Sequence, residues 1–578
     1  MSTINSKKEK RSESEKHLNW MGGAGYFVSD PIKQLELAAT SCFFGEPQYY
    51  HIDEKDKRPV KVATCPNPVH ALSPETIALL REELDALDPV EWRGKTPAEL
   101  MTSAIDKALD FDAKRTLEFA ACLRSDHYIR TTPQVILVRA SHHKDVRGTS
   151  LLREYGTGYR TGIVQRADEP ALGLAYHISA YGKDAPIPNG LKKVWRRALE
   201  SYNDYQLAKY RMGGREVKLV DVVNLVHPKS DAIGRLVKGE LRNEDTWESR
   251  ISKLGSNREA WEGVLDKMGH MALLRNIRNL LKADVPYSKF LPMLVAGVKD
   301  GRQLPFRYYS AYKSLAGAPS PVKDSLEECI TASLHTLPKF AGKTMFLCDN
   351  SGSAWSAATS SMGTMHVAEI ANLTAVLGAH LSDEGWIGVF GDTLRLISVS
   401  KKGSVLEQVE KVSEVGMGIG QGTENGIWLF WDRAIQKKEH WDNVFVFSDM
   451  QAGHGGLYGM DGKAYASYMW NVGGSKEYIE VGIGRIRTFI DVGKLVNAYR
   501  EKVNPNVNVF LVQVAGYQDT IIPEFYNKTY ILGGWGEGLF KFAHQVVKTV
   551  KVSDKCRKEN IQNCHSCDDK ACGDNLSK

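Results

Sequence analysis

The chain has 578 residues, too many for one hydrophobic core, so two or more domains are expected. Its 42% hydrophobic and 25% charged residues are ordinary for a globular protein, and no run of about 18 apolar residues suggests a membrane span. The net charge of +6 is small for this length, so any site for a polyanion must arise from local concentration of charge.

The opening MSTINSKKEKRSESEKH is polar and charged throughout. It lacks the apolar region of a secretory leader and reads as a disordered tail over residues 1–18. Without an export signal, reduced thiols and a cytoplasmic location are the expectation. From about Pro74 to Ala341 the pattern is helical. PETIALLREELDAL, DAKRTLEFAACLRS and GLKKVWRRALESYNDYQLAKY place apolar residues three and four apart. Prolines at helix starts cost no hydrogen bond there. Many short helices with short connections suggest stacked helix pairs, and the absence of a fixed period makes the repeats degenerate. Between Leu191 and Arg242 there are 12 Lys and Arg against 6 Asp and Glu, an excess equal to that of the whole chain. This segment is either a polyanion site or a solvated helical face.

Near Lys343 the pattern changes. KTMFLCD is a short apolar run before a Gly/Ser-rich loop and the helical stretch HVAEIANLTAVLGAHL. GWIGVFGD and LRLISVS read as strands, SVLEQVEKV and NGIWLFWDRAIQKK as helices, and NVFVFSD and NVFLVQVAG as buried strands. Alternation of this kind predicts parallel strand–helix–strand units with a sheet covered on both faces. Residues Met450 to Val492, rich in Gly, Tyr and Ser, read as an insertion. The expected division is 1–18 tail, 19–341 helical array, 342–553 α/β domain and 554–578 Cys-rich tail.

DNSGS places Asp349, Ser351 and Ser353 directly after an apolar strand. Strand carboxyl ends line the ligand crevice of an open α/β sheet. Thr423, in the glycine-rich GQGTE, and Asp449, after NVFVFS, can converge there. Two carboxylates and three hydroxyls form an all-oxygen set suited to a hard divalent cation, Mg²⁺ above all. The alternative is a polar loop whose serines cap the next helix. A phosphoryl-transfer enzyme with an aspartate after its first strand would want a second Asp two residues on, where Ser351 stands, and His454 sits alone among glycines. Metal binding without catalysis is the preferred reading. The pattern D-x-S-x-S, then Thr, then Asp resembles the metal-ion-dependent adhesion site of von Willebrand A domains.

With a helical array before it, the chain resembles the Ro autoantigen (TROVE-domain) family. The stretches that carry this are NWMGGAGYFVSDPIKQLELAATSCFFGEPQYY, LRSDHYIRTTPQVIL, ALLRNIRNLL and LPFRYYSAYKS, within a likeness spanning roughly residues 19 to 550. The resemblance implies a closed all-α ring of HEAT-like helical repeats plus a doubly wound von Willebrand A-like α/β domain. It further implies small non-coding (Y-like) RNAs bound outside the ring, single-stranded 3′ ends of misfolded RNAs in its hole, and a role in RNA quality control.

In LAKYRMGGREVKLVDVVNLVHPKS, Lys209, Arg211 and His227 match the family's RNA-contacting positions, and Arg215 matches a loop arginine across a loop one residue longer. Val226 replaces the usual serine. Lys and Arg suit phosphates, and Arg also stacks on bases. Without the resemblance, His227 before Pro228 reads as a capping or core histidine. Arg130, Arg139, His142 and Arg160 are candidates for the ring surface.

Cys556, Cys564, Cys567 and Cys572, with His565, crowd the end of the sequence. Four thiolates could hold a structural zinc, and a disordered reactive tail is the preferred alternative. The chain is expected to be a monomer without catalysis of its own, with a nuclease or another protein as a candidate partner. Its rivals are a protein-interaction scaffold acting through the α/β domain and a metal-dependent RNA hydrolase.

Overall fold

The computed structural model describes residues 16–18, 24–41 except 29, most of 97–448, 479–481, 488–490, most of 492–533 and part of 539–544. PETIALLREELDAL, the Cys-rich tail and most of 450–492 lie outside the described residues, as does His454.

The helical periodicity is realised where it can be followed. In the helix Asn189–Glu200, Leu191, Val194, Trp195, Ala198 and Leu199 are buried while Lys193, Arg196 and Arg197 are exposed. The spacing of three and four gathers the apolar side chains on one stripe. Trp195 lies so close to Gly173 that a Cβ there would stand 2.9 Å from the indole, so only glycine lets these helices approach. GLKKVWRRALESYNDYQLAKY is two helices rather than one. Asn203 accepts from the Gln206 N–H at 3.0 Å and Gln206 accepts from the Asn203 N–H at 3.0 Å, a capping box that starts a new helix at Asp204–Lys209. DAKRTLEFAACLRS falls in the helix Pro97–Ser125, interrupted at Asp112, whose backbone is extended and whose carboxylate accepts from the Arg115 N–H at 3.0 Å.

In chain order the described strands are β1 Lys16–Leu18, β2 Ala24–Phe27, β3 Phe340–Asp349, β4 Ser382–Phe390, β5 Leu394–Ser398, β6 Asn443–Ser448, β7 Ile479–Val481, β8 Thr488–Ile490, β9 Asn508–Gln513, β10 Asp519–Thr520 and β11 Thr529–Gly533. The principal sheet has six of them, in the order β11-β9-β6-β3-β4-β5. All neighbours are parallel except β4 and β5. The expected parallel units are present, and at one edge the chain turns back: Phe390 and Leu394 are too few residues apart for a crossover helix. Successive residues face opposite sides. Phe346, Cys348, Phe445 and Phe510 pack with the helices Val367–Leu381 and Val405–Met417. Met345, Leu347, Val444 and Leu511 pack with Ile427–Gln436 and Val492–Lys502.

Contacts from both ends of the helical part cross the division drawn from sequence order. The buried side chains from Trp261 to Leu337 are continuous with one face of the sheet, including Phe346 and Phe445. Glu327 accepts from Ser404 Oγ at 2.8 Å and from the Val405 and Leu406 N–H groups at 2.7 and 2.9 Å, so a carboxylate from the helix Ser320–Ser333 caps the helix Val405–Met417. At the other end of the chain, β2 Ala24–Phe27 pairs with β10 Asp519–Thr520, and the helix Pro31–Ser41 lies on Gly533 of β11, where a Cβ would meet the Leu37 backbone at 2.9 Å.

Candidate nucleic-acid interface and candidate metal centre

Of the candidate RNA residues, Arg130, Arg139, His142, Lys209 and His227 are described, while Arg160, Arg211 and Arg215 lie outside the described residues. Arg130 precedes the helix Thr131–His142 and donates to Asp168 Oδ2 at 2.9 Å. Arg166 donates to the same oxygen at 2.9 Å and to Oδ1 at 3.0 Å. The Arg166 guanidinium in turn lies 4.3 Å from the ring centre of Tyr210, and Lys209 Nζ lies 5.9 Å from that same ring. Arg130, Arg166 and Lys209, from three separated segments, therefore belong to one continuous cluster, with Asp168 between the two arginines.

Lys209 is exposed at the end of its helix and donates to the Tyr205 hydroxyl at 3.3 Å. Burial lowers its pKa, but Tyr205, Tyr210 and Glu248 more than offset this, so the amine is held charged. Arg166, Tyr205 and Tyr210 were not singled out by sequence reasoning. Alternating Arg/Lys and Tyr within the basic segment is the signal that could have found the two tyrosines.

Arg139 and His142 sit at the other end of the helix from Arg130, about 14 Å along its axis for nine residues. The Arg139 guanidinium donates to Asp106 Oδ1 at 2.6 Å, again to Asp106 Oδ2, and to the Tyr176 hydroxyl at 2.9 Å. Its charge is spent within the fold. The His142 ring stacks on Tyr181 with centroids 4.0 Å apart and on His177 at 5.1 Å. Burial, followed by the nearness of His177, Arg147 and Arg139, pushes its pKa down to about 4. The structure thus does not join these two residues to the Arg130–Lys209 cluster by any contact among the described residues.

His227 ends the helix Leu219–Val226 in the left-handed region, at φ 49° and ψ 57°, its N–H donating to the Val223 carbonyl at 2.9 Å. The backbone does the capping and the exposed imidazole is left to solvent. The main chain makes the cap, and the side chain takes no part in it.

Asp349 stands at the carboxyl end of β3, where the chain leaves for β4 on one side and later returns as β6 on the other. This is the switch point at which open α/β sheets form crevices. Asp349 Oδ2 accepts from Ser448 Oγ of β6 at 2.7 Å, its Oδ1 accepts from the Ser351 N–H at 3.0 Å, and Ser351 Oγ and Ser353 Oγ are 3.0 Å apart. Burial raises the Asp349 pKa against these hydrogen bonds. A buried carboxylate beside two hydroxyls is a donor set that fits a hard cation, and the cation would repay the burial cost. Thr423 and Asp449 lie outside the described residues. Ser448, adjacent to Asp449 in sequence, was missed as a partner of Asp349.

Beneath the site, Asn350 and Asn372 exchange side-chain hydrogen bonds at 2.9 Å each, and Asn372 donates to Ser413 Oγ at 3.3 Å. These bonds tie the site loop to the helices Val367–Leu381 and Val405–Met417.

The TROVE domain family model matches residues 230–328. The chain is 33% identical over 94 residues to telomerase protein component 1 of Mus musculus, covering 15% of this chain and 4% of that protein, so it spans a small fraction of that relative's length. Among solved structures, the crystal structure of the Deinococcus radiodurans RO (RSR) protein is similar with a TM-score of 0.44 at 12% identity, over 87% of this chain and 97% of that one. The chain is thus one that carries a TROVE domain. The match takes in ALLRNIRNLL and LPFRYYSAYKS, and Lys209 and His227 lie before it.

Proposed function

We propose that this chain is an RNA-binding protein, a ribonucleoprotein component of the Ro/TROVE kind. The observation that carries the reading is the cluster Arg130–Asp168–Arg166–Tyr210–Lys209, in which cations and an aromatic ring from distant segments meet at one surface. Guanidinium and ammonium groups take phosphates, and aromatic faces take unstacked bases. His227, exposed on the following helix, supplies a further hydrogen-bonding or stacking group.

In the finer reading, small structured RNAs of the Y type bind outside a helical ring. The hole of that ring admits single-stranded 3′ ends of misfolded RNAs and excludes duplexes by size. The protein acts in RNA quality control in the cytoplasm, as a monomer, with a nuclease as candidate partner. Asp349, Ser351, Ser353, Thr423 and Asp449 hold Mg²⁺, which when bound offers an electropositive site for an acidic oxygen of a partner. The buried Asp349 with its paired serines also favours a second reading, a scaffold that recruits an acidic protein through the α/β domain.

The test is a gel-shift titration at two salt concentrations. The probes are a structured RNA with a single-stranded 3′ tail, the same RNA blunt-ended, and a duplex DNA. Tail-dependent, salt-sensitive binding, weakened in Lys209→Ala/His227→Ala, is expected. Weak binding indifferent to all three probes would overturn the RNA reading and leave the scaffold.

A further inference from the structure

Beside the Arg130–Lys209 cluster lies a cavity of about 470 Å³ between the helix Asp204–Lys209 and the helix Trp247–Leu254. This is within the usual size of small-ligand sites, about 300–1,000 Å³. Tyr205, Lys209, Thr246, Glu248, Ser252 and Lys253 line it. Tyr205 is 39% exposed, high for a large ring in a folded protein. Lys253 and the Ser252 hydroxyl are exposed and make no hydrogen bond or ion pair among the described residues. A partly exposed aromatic ring, with the Lys209 ammonium 5.5 Å from its centre, thus shares one cavity with a second ammonium group and a carboxylate.

We infer that this cavity is a subsite for one unstacked nucleotide of single-stranded RNA. Its base lies against Tyr205, its flanking phosphates on Lys209 and Lys253, and an N–H of its base edge donates to Glu248. The inference rests on the RNA-binding reading and deepens it. A base inside a duplex has both faces stacked and its pairing edge occupied, so only a single strand can enter. Glu248 opposes phosphate and so orients the nucleotide, drawing the base edge to the carboxylate and leaving the phosphates to the lysines. A phosphate-only site would have no use for Tyr205 or Glu248.

The experiment is fluorescence anisotropy with a labelled single-stranded RNA of about ten nucleotides and a blunt RNA duplex of the same length. Wild type is compared with Tyr205→Ala, Tyr205→Phe and Lys253→Ala, with melting temperatures recorded for each. Tyr205→Ala should bind the single strand about tenfold more weakly and Tyr205→Phe nearly as wild type, since the ring face supplies the stacking. Lys253→Ala should weaken binding and reduce the slope of log affinity against log salt by about 0.7. Duplex binding should not move in any of them. If Tyr205→Ala fails to fold, Lys253→Ala at its exposed position still decides. Variants that bind the single strand as wild type does overturn the subsite and leave the RNA reading standing. Equal losses on strand and duplex overturn the base contact, and a wild type that binds no single strand overturns both readings.

Discussion

Arg130 and Arg166 donate to the same carboxylate oxygen of Asp168, each at 2.9 Å. Asp168 is 5% exposed, and it holds two guanidinium groups that would otherwise repel each other. Asp168→Ala should cost about 2 kcal/mol, since a hydrogen bond to a charged group contributes about 1.5–3 kcal/mol and both arginines retain some solvent. Urea unfolding measures it. The same substitution should loosen the Arg166–Tyr210 contact and change RNA affinity, although Asp168 itself repels phosphate. A variant as stable as wild type would show that the pair is held by other contacts.

At His227 stability and binding should move in opposite directions. A non-glycine residue in the left-handed region costs roughly 1–2 kcal/mol, and glycine relieves it. His227→Gly should therefore raise the melting temperature while weakening RNA binding. His227→Ala keeps the backbone cost and loses the imidazole, so it should weaken binding without the gain. Parallel melting and gel-shift series separate the two effects, and equal RNA affinity in all three proteins would remove His227 from the interface.

Stability should fall on mild acidification because of the His142–His177–Tyr181 stack. His142 is pushed down from 6.5 to about 4 and His177 is also lowered, each chiefly by burial. The unfolded chain then binds more protons than the folded one between about pH 6.5 and 4. Their contribution is complete above pH 6.5 and is lost progressively as the pH falls through that window. Thermal melts from about pH 7.5 to 5 should show the decline. His142→Phe, which keeps a ring against Tyr181, should flatten it, and an unchanged slope in that variant would assign the decline to other groups.

Mg²⁺ should stabilise the α/β domain if the Asp349 set holds it. A ligand present at 100 times its dissociation constant adds about 2.7 kcal/mol. Wild type should melt higher with saturating Mg²⁺ than with chelator, and Asp349→Ala should lose the difference. Because Asp349 is buried and its carboxylate already carries a raised pKa, Asp349→Asn should fold well in the absence of metal. A shift of the same size in wild type and both variants would place the ion elsewhere.

The sequence by itself determined the kinds of element and where most of them run. Apolar spacing of three and four defined the face of Asn189–Glu200 that buries Trp195, and short apolar runs marked β3, β4, β6 and β9. Periodicity is local, and local spacing dictates which side of a helix or strand faces inward. It also placed Asp349, Ser351 and Ser353 at a strand end, because the end of an apolar run is visible in one dimension. Tertiary structure decided the rest. It reversed β5 at the sheet edge, joined the residues after Trp261 to the sheet's core, and laid the helix Pro31–Ser41 on β11. It separated Arg139 and His142 from Arg130 although all three lie on or beside one helix, since Asp106 and Tyr181 claim the first two and Asp168 the third. Partner choice for a charge depends on which distant segment arrives beside it, and no spacing along the chain encodes that.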